Sequence, residues 1–557
     1  MGSPEKPIDV EMGDMNDETK QLNPDVKTDS ELKEEDKEER FTGLKKEELM
    51  EIANQPHWVR ARWALFIIFW IIWVAMLAGA IFIVVTAPKC KPEPTPQWYQ
   101  DVVVYEAKVN EFAQNFKGME DHLDYVSKSL FSKAVMVAGA GKESDPAAVT
   151  NNDDAGFESL VKTANDKEMK VMIDIPVDTL STMHDNFAQS ATAACASDAS
   201  GMYCNFFVWK ANGSTSNTDD YAEWVYNPDR MANYKVSKDS PNRAFLNYES
   251  PKAWEFVKML VKSWFDRKVD GIQIRDVGHV QNIEPNKLVK DIWEKFYTNE
   301  TSNEALFVYS SSPNPELNPV MLDVNNTNTG KSPMILSDHL SSHANLEAAG
   351  KMMRDAIEGW RNSTRQIGAN LLTPLGGSLV ETRFSNTSMG AALNLLSISI
   401  PGVPVIRSGD EVGASSPVLT WEEASDPDSA PVNSSNVVLN TVTAATVRKV
   451  EGIQAMQSLR YDTRNEDTKF SFIDTENNNV IAFHRKWDTK PAVLVVSNLS
   501  PSAQTVNVVS SSGLMDEKKP AQKAKVVVSS SAAFGDGDPV DLDKVNLPSG
   551  TTLILGA

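Results

Sequence analysis

Hydrophobic positions fall into three patterns along this chain of 557 residues. The first is an unbroken run, WALFIIFWIIWVAMLAGAIFIVVTAP, without a single charge between Trp63 and Pro88. A membrane span needs roughly 20 apolar residues, because in lipid every backbone polar group must bond within its own helix. A buried core helix would be shorter and would keep a polar face, and a cleaved leader would be shorter and would start near residue 1. The run therefore predicts one transmembrane helix over 63–87.

The second pattern begins at Trp98, where short β-branched runs alternate with amphipathic helical stretches. Strands are expected at 101–107, 133–139, 169–175, 269–274, 304–310 and 402–408, with helices such as 157–168 and 254–267 between them. Repeated β–α alternation argues for a parallel sheet, and this many units for an α/β barrel of the (β/α)8, or TIM, type over 98–464. The third pattern starts near residue 465. Segments 480–487, 492–499, 505–511 and 524–531 alternate as antiparallel strands do, which predicts a C-terminal antiparallel β-sandwich over 465–557.

Composition refines the picture at the N-terminus. The formal net charge is −22, and residues 1–40 carry fourteen Asp or Glu against six Lys or Arg. That stretch cannot bury a core and repels nucleic acid, so 1–62 reads as a disordered acidic cytosolic tail that ends in a short juxtamembrane helix at 41–53. Residues 88–97 (PKCKPEPTPQ) form a stiff Pro-rich neck. Lys45, Lys46, Arg60 and Arg62 precede the span, whereas only Lys89 and Lys91 follow it closely, which places the N-terminus inside. Asn-X-Ser/Thr acceptors at Asn212, Asn299, Asn325, Asn362, Asn386, Asn433 and Asn498 all follow the span, as N-glycosylation of an external domain requires. Trp58 and Trp63 on the inner side, and Trp98 and Tyr99 beyond the outer one, read as depth anchors. Ala75 and Gly79 form a small-xxx-small pair on the span. His122, His184 and His279 show no metal spacing, and neither a metal nor another cofactor is expected.

Several segments resemble the α-amylase-type glycoside hydrolases. VVYEAKVNEF resembles that family's first strand, FKGMEDHLDYV (116–126) its next helix, NYESP (247–251) its Asn-Tyr-Glu-Asn-Pro segment, VDGIQIRDV (269–277) its fourth-strand motif, and IPGVPVIRSGDEVG (400–413) its last strand and the loop after it. The resemblance implies the barrel fold, with 180–245 as an insert after the third strand in which CNFFVW (204–209) is similar to the family's domain B. It also locates the catalytic positions. Retaining glycosidases need two carboxylates about 5 Å apart. The family's nucleophile position, four residues after the motif glycine, here holds Arg275, and its acid at the end of the fifth strand is matched by Ser310. Asp276 lies one residue on, where strand alternation would turn it to the opposite face. Residues 356–409 contain no Asp or His for the third acidic site, Asp178 and Thr179 stand where Asn-His is expected, and the calcium-loop pattern is missing from AQNFKG. The chain is expected to lack glycosidase activity.

The order of acidic tail, FTGLKKEELMEIA, WVRARW, single span, external Cys and barrel resembles the heavy subunits of heteromeric amino-acid transporters, the CD98 heavy-chain family. The resemblance implies a type II plasma-membrane glycoprotein. It would be the non-catalytic heavy subunit of a heterodimer with a multi-span light subunit, which it would stabilise and bring to the cell surface. It also implies that Cys90, in TAPKC, bonds that partner through a disulfide; its position just outside the span, in oxidising space, favours disulfide pairing over the alternatives of a palmitoylation site or a free thiol. Cys195 and Cys204, nine apart in the insert, are placed to close a local loop or to remain two thiols. A membrane-anchored α-glucosidase and an adhesion or signalling receptor with its own external partner are the alternative functions.

Overall fold

The computed structural model describes residues 46–86, 98, 102–292 apart from 199 and 214–220, 306–310, 334–336, 346–365, 371–374, 387–400, 403–414, 416, 418–421, 431, 469–486, 492–509 and 522–556. Residues up to Glu93 form one unit and those from Pro94 onward another.

In the first unit a short helix, Lys46–Ala53, precedes a 31-residue helix, Pro56–Thr86. The long helix begins at Pro56 rather than at residue 63. Proline suits a helix's first position because its missing N–H would have had no partner there. At about 1.5 Å per residue the helix is about 46 Å long, and it is the one helix among the described residues long and apolar enough to cross a membrane. The side chains of Trp63, Phe66, Ile67, Trp70, Ile71, Val74, Ala75 and Ala78 line one stripe of it.

The second unit is built on a closed barrel of eight parallel strands: Val104–Lys108, Ala134–Ala138, Lys170–Pro176, Gly271–Arg275, Leu306–Ser310, Met334–Leu336, Leu371–Pro374 and Val403–Arg407. Neighbours in sequence pair in space, and the eighth closes on the first through Val104↔Val405 and Tyr105↔Ile406. The sixth and seventh strands, of three and four residues, are the two that the sequence pattern did not reveal, being too short for alternation to register. Strand alternation sorts the side chains. Tyr105, Val135, Val137, Val171, Ile173, Ile272 and Ile406 join the large cluster shared with the helices. Val104, Ala134, Met136, Met172, Val403 and Val405 form a separate cluster, the apolar filling at the lower end of the barrel. Trp98 packs against this filling, with Lys170 Nζ 5.9 Å from its ring centroid. Its ring is therefore part of the barrel floor, which corrects its reading as a free depth anchor; Tyr99 lies outside the described residues.

Helix Asp154–Asp166 shows how local sequence sets the outer layer. The Asp153 carboxylate caps it by accepting from Gly156 N at 2.9 Å, and Phe157, Leu160, Val161 and Ala164 point inward. Phe157 meets Phe116 and Trp264 edge to face, and the fully buried Trp264 donates its indole N–H to Pro146 O at 3.0 Å.

After the third strand the chain leaves the barrel for the insert. Five antiparallel strands form it, with its first, Thr179–Ser181, paired to its last, Arg243–Phe245. At the C-terminus six antiparallel strands make a sheet, and a two-stranded ribbon covers one face of it through Val506, Val545 and Leu547. The other face is covered by the barrel helices Ala349–Arg365 and Thr387–Ser399, through Met353, Ile357, Leu393 and Leu396 against Phe483, Val495 and Ile554. The expected sandwich thus has the barrel's own helices as one of its layers.

Gly350 sits where that helix layer meets the sheet, and a Cβ there would fall on the backbone of Val480. Backbone cannot rotate aside, so Gly350→Ala should cost about 1–3 kcal/mol. Chemical unfolding of the full chain checks this, and an unchanged midpoint would refute the close contact.

Candidate functional site

The C-terminal ends of the barrel strands form the mouth where such barrels carry their sites. Two residues beyond three of the apolar filling residues the inward face becomes charged: Val104 is followed by Glu106, Met172 by Asp174 and Val405 by Arg407, and Gln273 pairs in register with Asp174. The fourth strand ends on Arg275, two residues past Gln273 and on the same face.

Asp174 is the anchor of the mouth. Its side chain is 3% exposed; one oxygen accepts from Gly139 N at 2.7 Å and the other lies 2.7 Å from Arg275 Nε. Gly139 adopts a positive φ of 70°, which a side chain would strain, and this turns its N–H onto the carboxylate. The Arg275 side chain is 45% exposed, so it reaches into the mouth while its root is tied to Asp174. The charge of Asp174 raises the pKa of Arg275 against the effect of burial. Burial raises the carboxyl of Glu106, which Arg407 opposes. Arg407 Nη2 also lies 3.6 Å from Glu111 Oε2.

Beneath the mouth, Glu411 is buried with three donors. Tyr105 and Tyr125 donate to Oε1 at 2.7 and 3.0 Å, and Gly409 N donates to Oε2 at 2.8 Å. Burial raises its pKa and those hydrogen bonds oppose the rise. This group ties the loop after the eighth strand to the first strand.

Asp276 does not continue the strand. It takes a left-handed conformation (φ 58°, ψ 29°), so alternation no longer governs its side chain, and its charge acts on Asp178 at the root of the insert. The bend removes the strand alternation on which the expectation of an opposite face rested. Ser310 ends the fifth strand, paired with Leu336; its side chain lies outside the description. Among the described residues no group of three or more His, Cys, Asp or Glu is placed to hold a metal ion. His122 stacks on Trp421 at 3.9 Å, His184 caps helix Asp185–Ser190 by accepting from Asn186 N, and His279 stacks on Tyr221 at 4.3 Å.

A disulfide joins Cys195 and Cys204, with Cα atoms 5.1 Å apart. Arg230 braces its loop: Nη1 donates to Cys204 O at 2.6 Å and Ser190 O at 2.8 Å, and the guanidinium lies 4.2 Å from the Trp209 ring centroid. Asn212 is exposed beside Gly213. Asn498 is not: it is fully buried, and its amide donates to Ser502 O, Leu547 O and Pro548 O at 2.8 to 3.0 Å. A glycan on that nitrogen is incompatible with this fold, so its reading as an acceptor is corrected. Asn362 lies in helix Ala349–Arg365 with its side chain outside the description. Cys90, Asn299, Asn325, Asn386 and Asn433 lie outside the described residues.

Two family models match the chain, "Solute carrier family 3 member 2 N-terminus" over residues 29–105 and "Alpha amylase, catalytic domain" over residues 149–319. The amino acid transporter heavy chain SLC3A2 of Oryctolagus cuniculus is 24% identical over 543 residues, covering 93% of this chain and 88% of the relative. The chain is thus similar to the amino acid transporter heavy chains over most of its length. The heavy chain SLC3A1 of Rattus norvegicus is also similar, at 24% identity over 67% of this chain and 62% of its own length. In solved structures, an inactive double mutant of MutB in complex with isomaltulose matches with a TM-score of 0.65 at 14% identity, covering 83% of this chain and 100% of that one. The trehalose-6-phosphate hydrolase of Bacillus licheniformis matches at 0.62 and 13%, with the same two coverages. These structures establish the α-amylase-type barrel fold, and the relatives' names make this chain similar to ancillary transporter subunits.

Sequence reasoning singled out Arg275 but missed the acidic groups around it, Asp174 above all and also Glu106. The signal was available in the period-two spacing from Met172 to Asp174 and from Val405 to Arg407. Arg275→Gln should destabilise the full chain by about 1–3 kcal/mol, since Asp174 loses its ion partner and solvent screens part of the loss. Arg275→Asp should destabilise it further, because a carboxylate would then face Asp174, Asp178 and Glu106. Denaturant unfolding of both variants checks the order; Arg275→Asp as stable as the parent would show that the ion pair does not hold the mouth.

Proposed function

We propose that this chain is a non-catalytic ancillary subunit that binds a multi-span amino-acid transporter, stabilises it and carries it to the plasma membrane. One observation carries the reading: the likeness to heavy chains runs through 93% of the chain, and the N-terminal family match spans residues 29–105, juxtamembrane segment and apolar helix included. A detached relative of the sugar enzymes would share the barrel alone. One helix cannot build a substrate pathway, which requires several helices around a midplane site, so a partner performs transport. Arg60 and Arg62 before the span, and the exposed acceptor Asn212 after it, support a cytosolic N-terminus and an external glycosylated barrel. Arg275, tied to Asp174 at the position of the family's nucleophile, supports loss of hydrolysis.

Cys90 is the residue we assign to the covalent link. It follows Pro88 at the end of the apolar run and precedes Pro92, so it stays close to the membrane surface, within reach of a partner's external loop. Packing of the helix and barrel against the partner holds the pair without it. Cys90→Ser should therefore abolish the reducible high-mass band on a non-reducing gel and leave much of the surface delivery and transport. If the parent chain, with thiols blocked at lysis, runs at monomer mass without reductant, the covalent heterodimer is wrong.

The purified full-length chain should release no glucose from maltose or a chromogenic α-glucoside above a mock-purified control. Release above that control would favour the membrane-anchored α-glucosidase.

A further inference from the structure

The insert is held to the barrel at its root, along a seam and at one histidine. At the root, Arg243 Nε donates to Thr179 Oγ1 at 3.1 Å and Nη2 to Thr179 O at 2.9 Å, and Leu246 N donates to Asp178 O at 2.9 Å. Along the seam, Lys235 Nζ donates to Gln281 Oε1 at 2.7 Å and Tyr221 stacks on His279. The histidine is His184, which precedes the insert's helix Asp185–Ser190. Its side chain is 12% exposed and touches three elements. Nδ1 accepts from Asn186 N, in the first turn of that helix, at 3.0 Å. Nε2 lies 3.7 Å from Asp145 Oδ1, on the hairpin that follows the second barrel strand. The ring meets Phe256 of helix Pro251–Asp266 edge to face, with centroids 5.5 Å apart.

The direction of one hydrogen bond fixes the state of this ring. A backbone N–H only donates, so Nδ1 presents its lone pair and the proton of the neutral imidazole sits on Nε2, towards Asp145. A second proton would go to Nδ1, where it would point at the Asn186 N–H, and the cap would break. The other end of the ring offers little in return. The Asp145 side chain is 44% exposed, its Oδ1 already accepts from Ala147 N, and 3.7 Å is beyond hydrogen-bond reach. The remaining charges around the ring do not compensate. Asp185 is exposed, Glu143 on the same hairpin accepts from Asn242 Nδ2, Lys252 and Glu255 on the Phe256 helix pair with each other, and Phe256 carries no charge. Burial lowers the pKa of His184 from its ordinary 6.5, against the charges of Asp145 and Asp185. The helix behind the cap carries one wall of the insert. Phe187 N donates to His184 O at 2.9 Å, and the Phe187 ring packs on Phe207 and Tyr234. Ser190 ends the helix; its Oγ accepts from Trp209 Nε1 at 2.7 Å and its O from Arg230 Nη1 at 2.8 Å.

We propose that His184 is an acid-sensitive clamp: as the neutral Nε2–H tautomer it holds helix Asp185–Ser190 against the barrel, and a proton on Nδ1 breaks the cap and frees the start of that helix. In the freed segment the imidazole is solvated and returns to its ordinary 6.5, whereas the closed clamp keeps it lower. Below 6.5 the open form therefore binds more protons than the closed one. Closure is complete above that value, weakens as pH falls below it, and levels off once the closed ring also takes its proton. The insert is thus firmest at neutral pH and yields in mild acid.

The test is hydrogen–deuterium exchange of the full chain in detergent from pH 8 to 5, corrected for the intrinsic exchange rate. It is read at the amides of 186–191, with those of the barrel strand at 171–175 as the reference. Below pH 6.5 the open fraction at 186–191 should rise by up to about tenfold per pH unit while the reference stays still. His184→Asn keeps a capping oxygen but never ionises, so its profile should be flat. Asp145→Asn removes a charge that favours the protonated ring, so its rise should continue to lower pH before levelling, and it serves if His184→Asn does not fold. A flat profile in the parent chain overturns the clamp. So does greater protection in acid, a parent-like rise in His184→Asn, a parent-like profile in Asp145→Asn, or an equal rise in the reference strand.

Discussion

A closed parallel barrel must fill its own interior, and every inward-facing position on its strands is committed to that task. In this chain the lower levels are filled by Val104, Met136, Met172 and Val405, and the level above them is charged. Asp174 is the residue on which that upper level depends. It is nearly inaccessible to water, it is held by the Gly139 backbone, and it demands a cation. Arg275 is that cation. One ion pair thus ties together the ends of the third and fourth strands at the mouth. A carboxylate at residue 275 would stand beside Asp174, Asp178 and Glu106 with its countercharge removed.

The rest of the second unit is assembled around the barrel by sharing cores with it. The C-terminal sheet has no independent second layer on one side. It uses helices Ala349–Arg365 and Thr387–Ser399, and two polar contacts set its registration on them: Arg485 Nη1 donates to Ser399 O at 2.6 Å and Thr552 Oγ1 to Ala392 O at 2.9 Å. The insert is attached more sparingly, through the knot at Asp178 and Thr179 and the seam at Gln281. Its own integrity comes from the Cys195–Cys204 disulfide and from Arg230, which is buried with no carboxylate partner among the described residues and bonded to carbonyls beside the Trp209 ring. Burial without an anionic partner pushes the pKa of Arg230 down to about 10, which still leaves it charged at neutral pH. An arginine in that setting ties segments together by geometry rather than by charge pairing.

How much of this was legible in the chain depends on the range of the forces involved. The apolar helix, six of the eight barrel strands and the antiparallel character of the C-terminal strands follow from local periodicity, because hydrogen bonding in lipid and alternation on a sheet act over a few residues. Arg275 was legible too as a residue to single out, since it lies four residues after Gly271 in a recognisable motif. The short sixth and seventh strands were not, because they are defined by their neighbours rather than by a pattern of their own. Tertiary structure alone decided that Trp98 packs on the barrel floor, that Asn498 is spent on three carbonyls, and that Asp276 leaves the strand on a left-handed turn. In each case a group met partners far along the chain, or a backbone turn broke the alternation, and only the folded packing brings those atoms together.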